Sequence, residues 1–235
     1  MLKEKFKRMY YTNKKHMIIQ SSIFISVLTM LIGAIIYMLF FHPNRPYKVL
    51  FIIAQMIMML AVIIGTVMFE NKFKIDIPDS LETMYVVFAF CGFILGDVFD
   101  FYGKFRHWDS ILHTFSGVIL AYIAYVIIDN IVKSQKFKLE LQPIYLSIFS
   151  VMFALSFGAL WEIGEYIADD LFGLNSQQYM MSTSTTFTGE EDIPLVGHEA
   201  LRDTMKDLIL DTAGAVVVAT TGYVVKTKKE KVSHL

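Results

Sequence analysis

Six stretches of about 20 mostly apolar residues dominate the chain, each long enough to cross the hydrocarbon core of a bilayer as a helix. They run over residues 17–40, 47–69, 81–102, 108–128, 144–168 and 208–225. A spanning segment must satisfy its own backbone hydrogen bonds, so six such segments fold as a helix bundle. The expected fold class is therefore all-α. It is one polytopic integral membrane domain, 1–235, of about six transmembrane helices. Composition agrees, since 18% of residues are charged where a soluble domain carries about 25%. This balance argues against a soluble enzyme, a disordered chain and a basic nucleic-acid binder. Membrane lipids are the expected surroundings, and no nucleic-acid partner is expected. The first stretch is too long for a signal-peptide core, and Phe40-Phe41-His42-Pro43 offers no small-residue cleavage site. It reads as an uncleaved helix. A lone Cys91 excludes a disulfide framework and a cysteine-based zinc cluster.

Charge orients the bundle. With six spans both termini share a side, and that side carries fifteen of the 21 Lys and Arg residues. The positive-inside rule puts both termini in the cytoplasm. Fourteen of the 22 acids fall on the opposite side. The near-neutral total therefore hides two opposed charge layers. Most of the outer surplus sits at helix ends, and the one long connection, 169–207, is itself rich in Ser, Thr and acids.

The outer ionisable groups keep helical spacing. Asp97 and Asp100 end the third span; His107, Asp109 and His113 open the fourth. Glu162 and Glu165 close the fifth, and Asp203, Asp207 and Asp211 lead into the sixth. At about 100° per residue, Asp109 and His113 lie about 40° apart on one face, and the three aspartates follow one stripe. An acid placed deep in a bilayer costs about 2.5–3.5 kcal/mol on insertion scales. Protonation, ion pairing or metal binding can offset that cost. Lys104, Arg106, Arg202 and Lys206 are too few to pair with all these groups. Oxygen and imidazole donors suit Zn, Mg, Mn or Fe, and helix bundles commonly hold such sites in their cores. The expected ligands are Asp109, His113, Glu162, Asp203, Asp207 and Asp211, with Asp97 and Asp100 as additional candidates.

A structural account stands beside this one. Asp109, Asp203 and Asp207 near helix N-termini could complement the macrodipole. Asp97, Asp100 and Glu165 could be solvated interfacial charges. Asp169, Asp170, Glu190, Glu191 and Asp192 read as a solvated loop face. His16, His42 and His234 read as surface histidines, and His198 reads as a loop residue outside the ligand set. Trp108 and Trp161 suit interfacial anchors. Gly117, Gly158, Gly164 and Gly214 suit close helix packing.

The order Asp109-x3-His113, Glu162-x2-Glu165, Asp207-x3-Asp211-x2-Gly214 resembles the VanZ-like proteins of bacteria. The fuller stretches Arg106-His-Trp-Asp-Ser-Ile-Leu-His113, Trp161-Glu-Ile-Gly-Glu165 and Asp203-Thr-Met-Lys-Asp207 are more closely similar to the YjdF-type family of inner-membrane proteins. The resemblance covers about residues 95–225. VanZ-like proteins tend to carry Glu-x2-Gln and Asp-x3-Asn where Glu165 and Asp211 stand, so this site is the more acidic one. The resemblance implies a protein of the bacterial cytoplasmic membrane.

Three functions fit these residues. One is a metal-dependent membrane hydrolase acting on a lipid or cell-envelope precursor. There Glu165 or His107 would serve as general base, and Lys104, Arg106, Arg202 or Lys206 would receive an anionic headgroup. Another is a cation- or proton-coupled transporter. The third is a non-catalytic envelope-stress or resistance factor with a structural metal clip.

Overall fold

The computed structural model describes residues 14–41, 46–73, 77–133, 141–181 and 192–233. Among these every regular element is a helix. Helices α1 (Lys14–Phe41), α2 (Pro46–Phe73) and α3 (Asp79–Ala89) come first, and α3 runs on as a π-helix over Phe90–Val98. The single turn α4 (Phe101–Lys104) leads to α5 (Trp108–Lys133), α6 (Pro143–Phe172) and α7 (Arg202–Ser233). Extended pairing among the described residues is limited to one bridge, Met180 with Pro194. Among the described residues six helical stretches are long and apolar enough to cross a membrane. Large apolar side chains such as Phe40 and Leu160 stay exposed on them, as lipid-facing residues do.

The chain divides into two compact units, 1–100 and 101–235. Lipid-facing and helix-facing positions are equally apolar in such a chain, so hydropathy alone does not reveal which helices group together. In the first unit α1, α2, α3 and the π-helix pack on each other around Val27, Met56, Met59, Val86 and Ile94. The wider π turn closes with the Phe99 amide donating to the Ile94 carbonyl, five residues back, at 2.9 Å. Asp100 follows with a φ of 60°, which ends the helix. The third span thus stops at Val98, short of the expected Tyr102. Asp97 lies half-buried in the π-helix and Asp100 is exposed.

In the second unit α5, α6 and α7 pack pairwise. The start of α5 meets the start of α7 and the later part of α6, so α5 and α7 run parallel and α6 antiparallel to both. Midway, Ala121, Ala154 and Ala215 form a fully buried layer. Beyond it the Tyr125 hydroxyl, the Ser147 hydroxyl and the Ala219 carbonyl meet within 3.3 Å. These polar groups come one from each of the three helices. They tie the three helices together inside the bundle.

Glycines set how closely α5 and α7 approach. A Cβ on Gly117 would run into the Asp211 backbone carbonyl, and one on Gly214 into the Thr114 carbonyl. Gly158 of α6 leaves the space that the Asp211 carboxylate fills. Gly164, further along the same helix, has nothing within 4 Å. Gly117→Ala is therefore expected to destabilise the protein by about 1–3 kcal/mol, as overpacking does. Gly164→Ala should be neutral or stabilising, since alanine is the better helix former. Thermal melts of the two variants in one detergent check the contrast.

Helix α6 runs to Phe172 and α7 starts at Arg202, so the connection is shorter than the expected 169–207. Gly173 ends α6 in the left-handed conformation, with φ of 64°, and its amide donates to the Asp169 carbonyl. Asp169 is not a solvated loop residue: it is 4% exposed. Its carboxylate accepts the Ser176 and Gln177 amides at 2.7 and 3.0 Å. The helix persists a turn beyond the expected span and uses this acid to fold the connection back on itself. Buried Asn175 accepts the Met180 amide at 3.0 Å, continuing the same turn. Burial, with the charges of Asp169, Asp170 and Asp192 behind it, pushes the nearby Tyr179 phenol above its usual range. His198 is exposed, outside the acidic cluster. His42, Glu190, Glu191 and His234 lie outside the described residues, as does the side chain of His16.

Candidate metal centre

The start of α5 is held by three rings. Phe101 packs edge-on to Phe105 and Trp108, with centroids 4.7 and 5.0 Å apart. Trp108 thus has a packing role besides any interfacial one. From this anchored start Asp109, His113 and Ser116 follow at the i, i+4, i+7 spacing of one helix face. That face turns toward α6 and α7.

His113 is the hub. It is 8% exposed and reaches three carboxylates on three helices. Its Nδ1 lies 3.3 Å from Asp211 Oδ2. Its Nε2 lies 3.5 Å from Asp109 Oδ1 and 4.0 Å from Glu162 Oε1. Asp211, 1% exposed, is fully engaged, because its other oxygen accepts the Ser116 hydroxyl. The same hydroxyl lies 2.8 Å from the His113 carbonyl, so its hydrogen is shared between the two acceptors. Asp211 thus stands against Nδ1, and Nε2 is the ring nitrogen turned toward Asp109 and Glu162. A carboxylate behind a histidine is the usual device for fixing which ring nitrogen meets a metal.

Asp109, His113 and Asp207 each offer a donor atom, and these three atoms lie within 4.8 Å of one another. Asp207 is 2% exposed and Glu162 4%. Four of the carboxylate oxygens here are buried without a hydrogen bond: Asp109 Oδ2, Asp207 Oδ1 and both oxygens of Glu162. Buried polar atoms are normally satisfied, and here the nearest groups, the Lys206 ammonium and His113 Nε2, stay 3.6–4.0 Å away, beyond hydrogen-bond distance. A divalent cation fits that requirement in charge and in donor chemistry.

The expected site residues separate into groups. Asp109, His113, Glu162, Asp203, Lys206, Asp207 and Asp211 come together. Asp211 stands behind His113 rather than among the three donors. Glu165 turns back along α6, where it accepts Trp161 Nε1 at 2.9 Å. His107, Arg106 and Lys104 are exposed at the entry to α5. Arg202 is exposed and pairs with Glu199 at 2.9 Å. Asp97 and Asp100 belong to the first unit.

Sequence reasoning missed Ser116, although it lies seven residues from Asp109 on the same face. It also missed that the buried acid stripe of α6 runs from Glu162 to Asp169, again seven apart, and not from Glu162 to Glu165. The fold then joins that stripe to the loop. Gln177 Nε2 donates to Thr204 Oγ1 at 3.0 Å and lies 3.5 Å from the Glu162 carbonyl.

These features define a multi-pass α-helical membrane protein with a buried Asp/His/Asp group at one end of a three-helix unit. The chain belongs to the family described as a predicted membrane protein, DUF2238, whose model matches residues 24–228. It is similar to an uncharacterized protein of Thermotoga maritima, 28% identical over 153 residues, a match spanning 65% of this chain and 66% of that relative. No solved structure matches the chain.

Proposed function

We propose that this is a bacterial cytoplasmic-membrane protein with both termini inside, and that it holds a divalent metal ion at its extracytoplasmic face. We assign the metal to Asp109, His113 and Asp207, with Glu162 beside it, and read the centre as that of a hydrolase acting on a lipid or cell-envelope precursor. The observation that carries this is the three converging donor atoms of Asp109, His113 and Asp207, with Asp109 Oδ2 and Asp207 Oδ1 buried and without a hydrogen bond beside them. The Lys and Arg surplus at the termini supports the orientation. The three stretches at 106–113, 161–165 and 203–207 support a YjdF-type membership, and their order a more distant VanZ-like one.

When bound, Zn, Mg, Mn or Fe would supply a Lewis acid and lower the pKa of a coordinated water. The chain's own residues have separable tasks. Asp211 and Ser116 hold the His113 ring. Glu162, buried and 4.0 Å from His113 Nε2, is better placed to take a proton than Glu165 or His107. The fully buried Ala121, Ala154 and Ala215 layer lies one turn beyond Asp211, which favours a one-sided site over a cation or proton path.

Metal analysis of detergent-purified protein from metal-replete cells tests the reading. About one equivalent of a divalent ion per chain is expected. A metal-free wild type would overturn it.

A further inference from the structure

Lys206 sits among the acids of the centre and not at its rim. Its Nζ lies 2.7 Å from Asp203 Oδ1 and 3.6 Å from both Asp109 Oδ2 and Asp207 Oδ1. Only the Asp203 contact is a hydrogen bond. The other two oxygens are buried and take no hydrogen bond, so the ammonium offers them charge alone. These are the same two carboxylate groups that join His113 in the donor trio. The Lys206 side chain is 41% exposed and carries its charge on a flexible four-carbon stem. It can therefore leave the two carboxylates for water without unfolding the helix end.

We propose that Lys206 is the resident counter-cation of this centre. Its ammonium compensates Asp109 and Asp207 when no metal is bound, and an incoming divalent cation exchanges with it. Lys206 then keeps Asp203 as its tether. The proposal rests on the metal reading above and adds a control on when the centre fills. An ion seated among Asp109, His113 and Asp207 would face a like charge a few ångströms away, and the repulsion is only partly screened at this half-exposed position. Metal affinity is thus held below what the acidic donors alone would give. The centre loads when the free ion is abundant enough to displace the lysine.

Mn²⁺ binding to chelator-stripped full-length protein in detergent, followed by the paramagnetic resonance of free Mn²⁺, tests the exchange. Lys206→Gln is expected to bind Mn²⁺ about tenfold more tightly at unchanged stoichiometry, since the competing charge is gone. Lys206→Arg keeps the charge and should stay near wild type. A second readout needs no variant: labelling of Lys206 by an amine-acylating reagent, read by peptide mass spectrometry, should rise when Mn²⁺ is added to wild type. Equal or weaker binding by Lys206→Gln, or labelling indifferent to Mn²⁺, overturns the exchange and leaves the metal centre standing. No Mn²⁺ bound by either protein removes the metal reading and the exchange with it.

Discussion

Chelation is expected to lower the melting temperature of the wild-type protein by about 5–10 °C and to leave the Asp109→Ala, His113→Ala double variant unmoved. A ligand that binds only the folded state stabilises it by about 2.7 kcal/mol at a hundred times its dissociation constant. A domain of this size shifts by about 2–4 °C per kcal/mol. The double substitution removes two of the three converging donors and leaves Asp207 alone of the trio. It also takes the imidazole away from buried Asp211 and Glu162, so the metal-free variant should be less stable than metal-free wild type. A purely structural role for His113, bridging Asp211, Asp109 and Glu162, predicts no response of wild type to chelator. A variant that still responds to chelation would place the metal elsewhere.

The spans were legible because apolar runs of about 20 residues have few other meanings. Their ends were less so. The third span reads as continuous to Tyr102, since nothing in Phe-Cys-Gly-Phe-Ile-Leu-Gly-Asp-Val announces a π turn or the left-handed Asp100 that closes it. The cluster was legible in outline, because the i, i+4 pairs gave each helix an ionisable face. What a single-helix pattern cannot give is which residue stands behind which. Asp109 and Asp211 look equivalent as sequence, but only Asp211 has Ser116 and the His113 Nδ1 against it. Lys206 looked like one of four exposed cations for a headgroup, yet its ammonium lies against Asp109 and Asp207 inside the cluster. The glycines looked like generic packing residues. Their partners, Asp211 and Thr114 across the α5–α7 crossing, exist only in three dimensions. The grouping of helices into two units was invisible for the same reason, since one apolar face resembles another in a chain solvated by lipid.

Replacing Glu162 by Gln is expected to reduce hydrolysis of a lipid-phosphate or envelope-precursor substrate by about 10²–10⁴-fold, the usual contribution of a positioned acid–base group. Replacing Glu165 by Gln should leave most of the activity. The two glutamates are one turn apart on α6 and chemically identical, so environment alone decides between them. Glu165 spends an oxygen on the Trp161 indole of its own helix. Glu162 faces His113 Nε2 at 4.0 Å, with the Thr204 hydroxyl beside its carboxylate. The substituted amide would fill the same volume but could not take a proton, and the position stands outside the Asp109, His113 and Asp207 donor trio. Metal content should therefore stay near one equivalent in the Glu162→Gln variant while turnover falls. That combination separates a proton-handling group from a ligand, because a ligand would lose both together. Turnover lost in Glu165→Gln and kept in Glu162→Gln would move the chemistry to the Trp161 side of α6. Turnover kept in both would leave proton transfer to the aspartates and withdraw the role given to Glu162.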